Sequence, residues 1–519
     1  MSTQAAYSIG ELRHNAIHFL VGKVGSALLT FLVFVLLAHS LRLDGYGAYA
    51  TLLAMVELGI ALSTLGLDWA TARYLPEYRL YASRKQFLRF LTLVSVPRVV
   101  ALVLLAGLAL GMQQFFAQWF SLGDYLFALK LYSGVLVFEG AARIIRDSIL
   151  GELMQQRLAQ RTLIIRNMLM LISIIWMKLF LWPHASADHI RLLDVAVAEL
   201  LSALAGLVLL VYYLFRHLNR LPVTANAPAG WAPVDGKQIW RTAKHMYASY
   251  LLTLSYGAQV FTFIVNSWLG LQAAAVFGFM RNLTDFLRKY LPSEMFMTLI
   301  RPKFVAAFTA SNGDVGALRR NALLAWKISL FVLAPGILFL AAYGREFVQL
   351  TSNGKFTDYS LLVFSMLLTL IPASQRRILE MVATIMHHPE LCSRASAAGL
   401  VMLPLAFMLL SAGFGLWGIV FTLILGETLF NTVLIVSLKA HGYPYIVPLR
   451  SLLVFTGSCL SAWLLLRVVD FHPDAWWSLG LGFVSSTMLF LGIAYLLKPF
   501  TSDERGSVNH LIKKPLFVW

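Results

Sequence analysis

The 519-residue chain takes 59% of its residues from the apolar set and only 13% from Asp, Glu, Lys and Arg, with a mean hydropathy of +0.72. Soluble chains run about 45–50% apolar and about 25% charged, so this surface cannot be kept in water and a water-soluble enzyme is excluded. Its 35 Gly and 17 Pro exclude collagen-like and disordered classes, and two cysteines exclude a disulfide scaffold or a Cys-based metal module.

The first residues, MSTQAAYSIGELRHN, read as a cytoplasmic lead-in; no small-residue cleavage site follows the first apolar run, so no signal peptide is expected. Apolar runs long enough to cross a bilayer then follow at 16–39, 46–67, 90–112, 123–141, 162–182 and 194–215. A polar stretch from Arg216 to Lys244, containing LPVTANAPAGWAPVDGK, has the Pro/Ala/Gly bias of a linker. Eight more runs follow it: 246–268, 272–298, 322–342, 358–384, 395–413, 416–438, 448–468 and 476–497. The expected fold is an all-α polytopic membrane protein of about fourteen transmembrane helices. It divides into a six-helix lobe (1–215), a cytoplasmic linker (216–245), a second six-helix lobe (246–438) and a terminal helix pair with a cytoplasmic tail (439–519).

Lys and Arg positions support the count. With the N-terminus in the cytoplasm, only Arg42, Arg191, Arg345, Lys355 and Arg467 fall outside, and Lys23, Arg98, Lys130 and Lys178 lie within spans. The other 33 of the 42 Lys and Arg then lie in cytoplasmic loops and adjoining helix ends, and a wrong span number would blur that ratio. Both termini are therefore expected in the cytoplasm. The net charge of +17 is largely this bias, and nucleic acid need not be invoked. Trp119, Trp176, Trp182, Trp268, Trp476 and Trp477 stand near predicted outer boundaries, as an aromatic belt would. The lobes also echo one another: LRLDGYGAYATL (Leu41 to Leu52) matches LGLQAAAVFGFM (Leu269 to Met280), and at the same offset Arg73 falls on Arg301. An even number of intervening spans makes any such repeat parallel.

Charges inside spans are costly and ask for a reason. FMRNLTDFLRKYLP in the eighth run puts Arg281, Asp285 and Arg288 on one helical face, with Lys289 beside them. Such a face keeps net positive charge and suits phosphate, whose oxygens guanidinium binds bidentately. Two readings stand: the face lines a cavity, or this helix end simply protrudes into the cytoplasm. Lys23 is either a snorkelling residue or a cavity one. Glu57 lies mid-span and is either a proton or cation site or the partner of Lys23 or Arg98 in a structural ion pair. Arg98 and Lys130 are also placed to pair with Glu139, and Arg376 with Glu380 reads as a solvated helix end. The basic run from Ala142 to Asn167 reads as an amphipathic connection lying against anionic lipid head groups. HHPE (His387 to Glu390) lacks the spacing of a zinc site, and Cys392 and Cys459 are not expected to pair. No extramembrane segment is long enough for a nucleotide-binding or catalytic domain. Energy must therefore come from an ion gradient, a membrane potential or the substrate gradient.

The opening span, the short loop L-x-x-x-G-Y-G-x-Y (Leu41 to Tyr49) and G-L-x-x-A-x-x-R-Y-L-P-E (Gly66 to Glu77) resemble the polysaccharide transporter family. These are the O-antigen and exopolysaccharide repeat-unit flippases of the multidrug/oligosaccharidyl-lipid/polysaccharide exporter superfamily. Where that family has Leu-Gly-Pro before Gly-Tyr/Phe-Gly, this chain has Leu43-Asp44. The resemblance implies two lobes in a V around a central cationic cavity. It implies an undecaprenyl-pyrophosphate-linked oligosaccharide carried across the cell inner membrane by alternating access. The pyrophosphate would meet Arg281, Arg288, Lys23, Arg73 and Arg301, and Glu57 or Asp285 would couple H+ or Na+. Membrane lipids, a polysaccharide polymerase and a chain-length regulator are the implied partners. No bond is made or broken, so no catalytic residue, metal or cofactor is expected. Rival readings are a lipid II flippase or a multidrug/cation antiporter of the same superfamily, or a membrane-embedded polymerase or ligase. A cationic cavity repels cationic drugs, and polymerases resemble one another in a large outer loop, whereas the longest one here spans about Gly344 to Asp358.

Overall fold

The computed structural model describes residues 9–153, 155–181, 191–219, 231–295 and 314–512. Among them every regular element is helical. Among the described residues thirteen stretches are long and apolar enough to cross a membrane, which makes this a multi-pass membrane protein. Twelve of the expected runs each fall on one stretch. The run at 246–268 and the part of the run at 272–298 up to Arg288 fall together on a single stretch of 53 residues, Gly236–Arg288. The chain forms two compact units, Met1–Gly278 and Phe279–Trp519.

The first unit begins with α1 (Ile9–Ser40), α2 (Leu43–Ser63), α3 (Leu67–Tyr81), α4 (Arg84–Gly111) and the short α5 (Gln113–Trp119). Then come α6 (Leu126–Arg143), a π-helical segment (Ile144–Leu150), α7 (Gln156–Trp176), α8 (Leu192–Leu218), α9 (Gly236–Ser255) and the first part of α10 (Ala258–Arg288). Helix α2 is the most enclosed of the candidate spans, with 67% of its apolar window buried against 17–22% for α1, α4 and α7. Its sequence, LDGYGAYATLLAMVELGIALS, explains this: where lipid supplies no hydrophobic drive between helices, small residues let backbones approach. It packs on α4, α6 and α8. The outer helices instead turn Leu, Val and Phe outward, with Leu104 and Phe180 each 67% exposed, as lipid contact requires.

The long stretch folds back on itself at one residue. The Tyr247 hydroxyl donates to the Leu62 carbonyl (2.7 Å) near the end of α2, and the Asn266 amide donates to Thr51 Oγ1 (2.8 Å) nearer its start. Next, the Leu271 carbonyl lies against Gly47, and Gly278 then lies against Ala50. The chain therefore climbs α2 and reverses at Gly270, whose φ of 84° and ψ of 178° only glycine adopts without strain. At roughly 20 residues per crossing, 53 residues contain two. The sequence places the same turn between 268 and 272.

In the second unit, the remainder of α10 leads to α11 (Pro292–Met295), α12 (Val315–Ser352), α13 (Ser360–Leu367), α14 (Leu370–Ile385), α15 (Glu390–Gly399) and α16 (Met402–Ser411). It closes with α17 (Gly415–Ala440), α18 (Leu449–Val469), α19 (Trp476–Leu497) and α20 (Ser502–Ile512). Helix α17 packs on α14, α15 and α16, and α12 packs on α18 and α19. Phe331, Phe455, Phe490 and Phe500 interlock where α12, α18 and α19 meet the chain leading to α20. The Lys327 ammonium of α12, buried to 7% exposure, donates to Glu504 Oε1 of α20 at 2.6 Å. Lys327 is an in-span cation that the sequence reading leaves among the helix-end residues.

Candidate functional site

Among the described residues, two large polar clusters interrupt the apolar bundles, one in each unit. In the first unit the focus is Glu139 of α6, 3% exposed. Its Oε1 accepts from Arg143 Nε (3.1 Å) and Arg146 Nη2 (3.4 Å), and Arg166 Nε of α7 lies 3.1 Å from Oε2. Arg166 also faces Glu199 of α8 at 3.7 Å, and the buried Tyr132 hydroxyl donates to Glu199 at 2.6 Å. Residues 139, 143 and 146 recur at helical spacing, and the wider π-helical turns begin at Ile144, just before Arg146. Arg143 also lies in the field of Glu57, as do Tyr49 and Tyr250. Beside this cluster, Arg98 (4% exposed) pairs with Asp68 of α3 and donates to Ser148 Oγ at 3.2 Å, while Ser148 Oγ donates to Asp68.

These contacts correct three expectations. The partner of Arg98 is Asp68, in place of Glu57 or Glu139. Glu139 takes Arg143, Arg146 and Arg166, while Lys130 is exposed. The basic run 142–167 does not simply lie on head groups: three of its arginines turn inward to neutralise two buried carboxylates, leaving Arg157 and Arg161 exposed. The physical reason is cost: Glu139 and Glu199, on α6 and α8, would otherwise sit as unpaired anions in an apolar bundle.

In the second unit the predicted face of α10 does form. Arg281 Nε lies 3.5 Å from Asp285 Oδ2, and Arg288 Nε lies 3.5 Å from Glu294 Oε1 of α11. Helix α14 brings further charge to the same place. Arg376 Nε donates to Glu380 (3.0 Å), its Nη1 reaches Glu427 of α17 (3.4 Å), and its guanidinium lies 3.8 Å from the centre of the Phe430 ring. Arg377 contacts Glu294 (3.2 Å) and Glu380 (3.3 Å). The Arg376–Glu380 pair is therefore part of a buried junction rather than a solvated helix end, because Arg376, 7% exposed, is enclosed between α14 and α17. The face also differs in charge from its sequence reading: four arginines here meet Asp285, Glu294, Glu380 and Glu427.

Of the other predicted residues, Lys23 and Glu57 are half-buried in α1 and α2, and Arg73 is exposed on α3 with its guanidinium over its neighbour Tyr74. Arg301 and Trp182 lie outside the described residues. The sequence reading does not single out Glu294, Arg377, Glu427, Asp68, Glu199 or Arg166. Glu199 and Glu427 are within its reach, since both are carboxylates inside predicted spans, the criterion that selects Glu57. His388 contacts Glu390 at 2.9 Å, and among the described residues no group of three potential metal ligands gathers.

No protein-family sequence profile matches the chain, and no curated protein matches it by sequence. Solved structures do. The lipid II flippase MurJ in an inward closed conformation superposes with a TM-score of 0.67 at 13% identity, over 92% of this chain and 98% of that one. An inward-facing multidrug resistance MATE family transporter of the MOP superfamily gives 0.60 at 15% identity, over 86% and 96%. The MATE multidrug transporter DinF-BH, solved as a complex, gives 0.58 at 16% identity, over 85% and 97%. This chain thus has the all-helical fold that MurJ and the MATE transporters share.

Proposed function

We propose that the chain is a flippase that moves undecaprenyl-pyrophosphate-linked oligosaccharide repeat units across the cell inner membrane for surface polysaccharide synthesis. The observation that carries the reading is the arginine cluster at the end of α10, set in a fold that a lipid II flippase also adopts. Guanidinium forks match diphosphate oxygens, and the hydrophobic polyprenyl tail needs no polar site because it can remain in the bilayer. In this reading Arg288, with Lys23, Arg73 and Arg301, receives the pyrophosphate, and Arg281, closed against Asp285, adds its charge from behind. Glu57 and Asp285 couple the cycle to H+ or Na+, and two six-helix lobes, 1–215 and 246–438, alternate access. Both termini are cytoplasmic, and a polymerase and chain-length regulator take up the product. No bond is broken, so the residues bind and release rather than catalyse. The likeness to MurJ, a lipid II flippase, favours lipid II as the second substrate to test.

The test is a deletion strain in which undecaprenyl-linked sugars are extracted and assigned to a leaflet. Accumulation on the cytoplasmic face, relieved by the intact gene but not by Arg281→Ala/Arg288→Ala, is expected. Unpolymerised repeat units on the outer face would overturn the reading in favour of a membrane polymerase or ligase.

A further inference from the structure

The four arginines of the second cluster fall into two kinds. Arg281 and Arg376 are closed off, with side chains 3% and 8% exposed, and are held by Asp285 and by Glu380 with Glu427. Arg288 and Arg377 are open, 39% and 47% exposed, and one carboxylate bridges them. Glu294 Oε1 faces Arg288 Nε at 3.5 Å and Oε2 faces Arg377 Nε at 3.2 Å. One anion spanning two guanidiniums is the arrangement a bridging phosphate makes. We propose that Arg288 and Arg377 form a two-guanidinium clamp for the diphosphate of a lipid-linked ligand, and that Glu294 occupies it as a removable stand-in. The proposal rests on the lipid-diphosphate reading above and adds two residues to it.

The chemistry favours exchange. Ion pairs whose partners reach solvent are weak, and the two arginines facing Glu294 are 39% and 47% exposed, so its displacement costs little. It is carried on α11, a single turn of four residues, whereas both arginines stand on longer helices. With Glu294 in place the four arginines meet four carboxylates. With it displaced, the closed pairs remain intact, Arg377 keeps only its 3.3 Å contact with Glu380, and Arg288 and the exposed Lys289 turn to the incoming anion with it. Phosphate oxygens then make charge-assisted, bidentate contacts that a single carboxylate cannot reach on both forks at once. Glu380, Glu427 and Asp285 also border the site, and Arg376 and Arg281 offset them, so the clamp does not repel an anion as a bare acidic cluster would.

The experiment measures calorimetric binding of farnesyl diphosphate to the purified full chain in detergent, with farnesol and inorganic pyrophosphate as controls. Glu294→Gln is expected to bind farnesyl diphosphate roughly tenfold more tightly than the unmodified protein, and Arg288→Gln or Arg377→Gln roughly tenfold more weakly, the size of one charge-assisted hydrogen bond. Thermal unfolding of Glu294→Gln at the parental temperature, followed by tryptophan fluorescence, separates loss of the stand-in from loss of fold. Unchanged or weaker binding by a folded Glu294→Gln would overturn the stand-in. Diphosphate binding that ignores both arginine substitutions would overturn the clamp while leaving the flippase reading standing. Failure of every form to bind farnesyl diphosphate would sink the clamp and the lipid-diphosphate reading together. Tight binding of farnesol would do so as well.

Discussion

The contact between α2 and the returning part of α10 makes a demanding prediction. A Cβ built on Gly278 would lie 2.2 Å from the Ala50 Cβ, and one on Gly47 would lie 2.0 Å from the Leu271 carbonyl oxygen and 3.3 Å from the Ala275 nitrogen. Carbon atoms pack best at about 3.5–4.0 Å, so Gly278→Ala forces the helices apart by well over about 1 Å. Overpacking of this kind costs about 1–3 kcal/mol. The two glycines differ in what they meet. At Gly278 the obstacle is one methyl group, so Ala50→Gly should return the Gly278→Ala protein to near-parental stability. At Gly47 the obstacle is backbone, so Gly47→Ala should cost at least as much and no nearby side-chain deletion should relieve it. Thermal unfolding of the purified protein, followed by tryptophan fluorescence, measures each of these forms, and the coupling comes from the double-mutant cycle. If Ala50→Gly fails to rescue Gly278→Ala, or Gly47→Ala melts like the parent, the close approach is wrong.

Other consequences are equally concrete. Glu139→Ala leaves Arg143, Arg146 and Arg166 without their shared anion and should cost about 3–5 kcal/mol, readable as a lowered melting temperature; a neutral outcome would mean the arginines find water instead. Lys327→Met alone strands Glu504 and Glu504→Gln alone strands a buried ammonium, so each should destabilise. The double variant should recover most of the loss, and purely additive losses in the same melts would refute the pairing. His472, in the turn between α18 and α19, is hydrogen-bonded to Glu346 and lies beside Asp470, which together hold its imidazole above the ordinary 6.5. A raised value favours the folded state below 6.5 and loses that advantage as pH climbs past the folded value. The melting difference between the parent and His472→Gln should therefore shrink on alkalinisation, and a difference that grows would reverse the assignment.

The helical plan is readable because a bilayer leaves the chain few choices. A run of about 20 apolar residues has to be a helix, and the break at Gly270 is marked by residues on both sides of it. What the runs do not convey is which charges face one another. Arg98 of α4 pairs with Asp68 of α3 rather than with Glu139, whose carboxylate is already taken by Arg143, Arg146 and Arg166. Arg143, Arg146 and Arg166 look like a lipid-facing basic strip until α8 is seen to bring Glu199 alongside. The α10 face is legible from its i, i+4, i+7 spacing. Its neutralisation is not, since Glu294, Arg377 and Glu427 arrive from three other helices. Hydropathy thus reports where a helix is, whereas pairing is decided by contacts between distant segments.

The bond between Lys327 and Glu504 links positions 177 residues apart, and this has a consequence for the order in which the protein is made. At roughly 5–20 residues per second, α12 is synthesised about 9–35 s before its partner carboxylate exists. Through that interval a lysine that ends up enclosed must keep its ammonium in water or among head groups. The aromatic cluster around Phe331 is likewise incomplete until Phe500 arrives. The second unit therefore cannot close until α20 has been synthesised, and a released chain truncated before Glu504 should present an open, protease-accessible bundle even though it contains every preceding span.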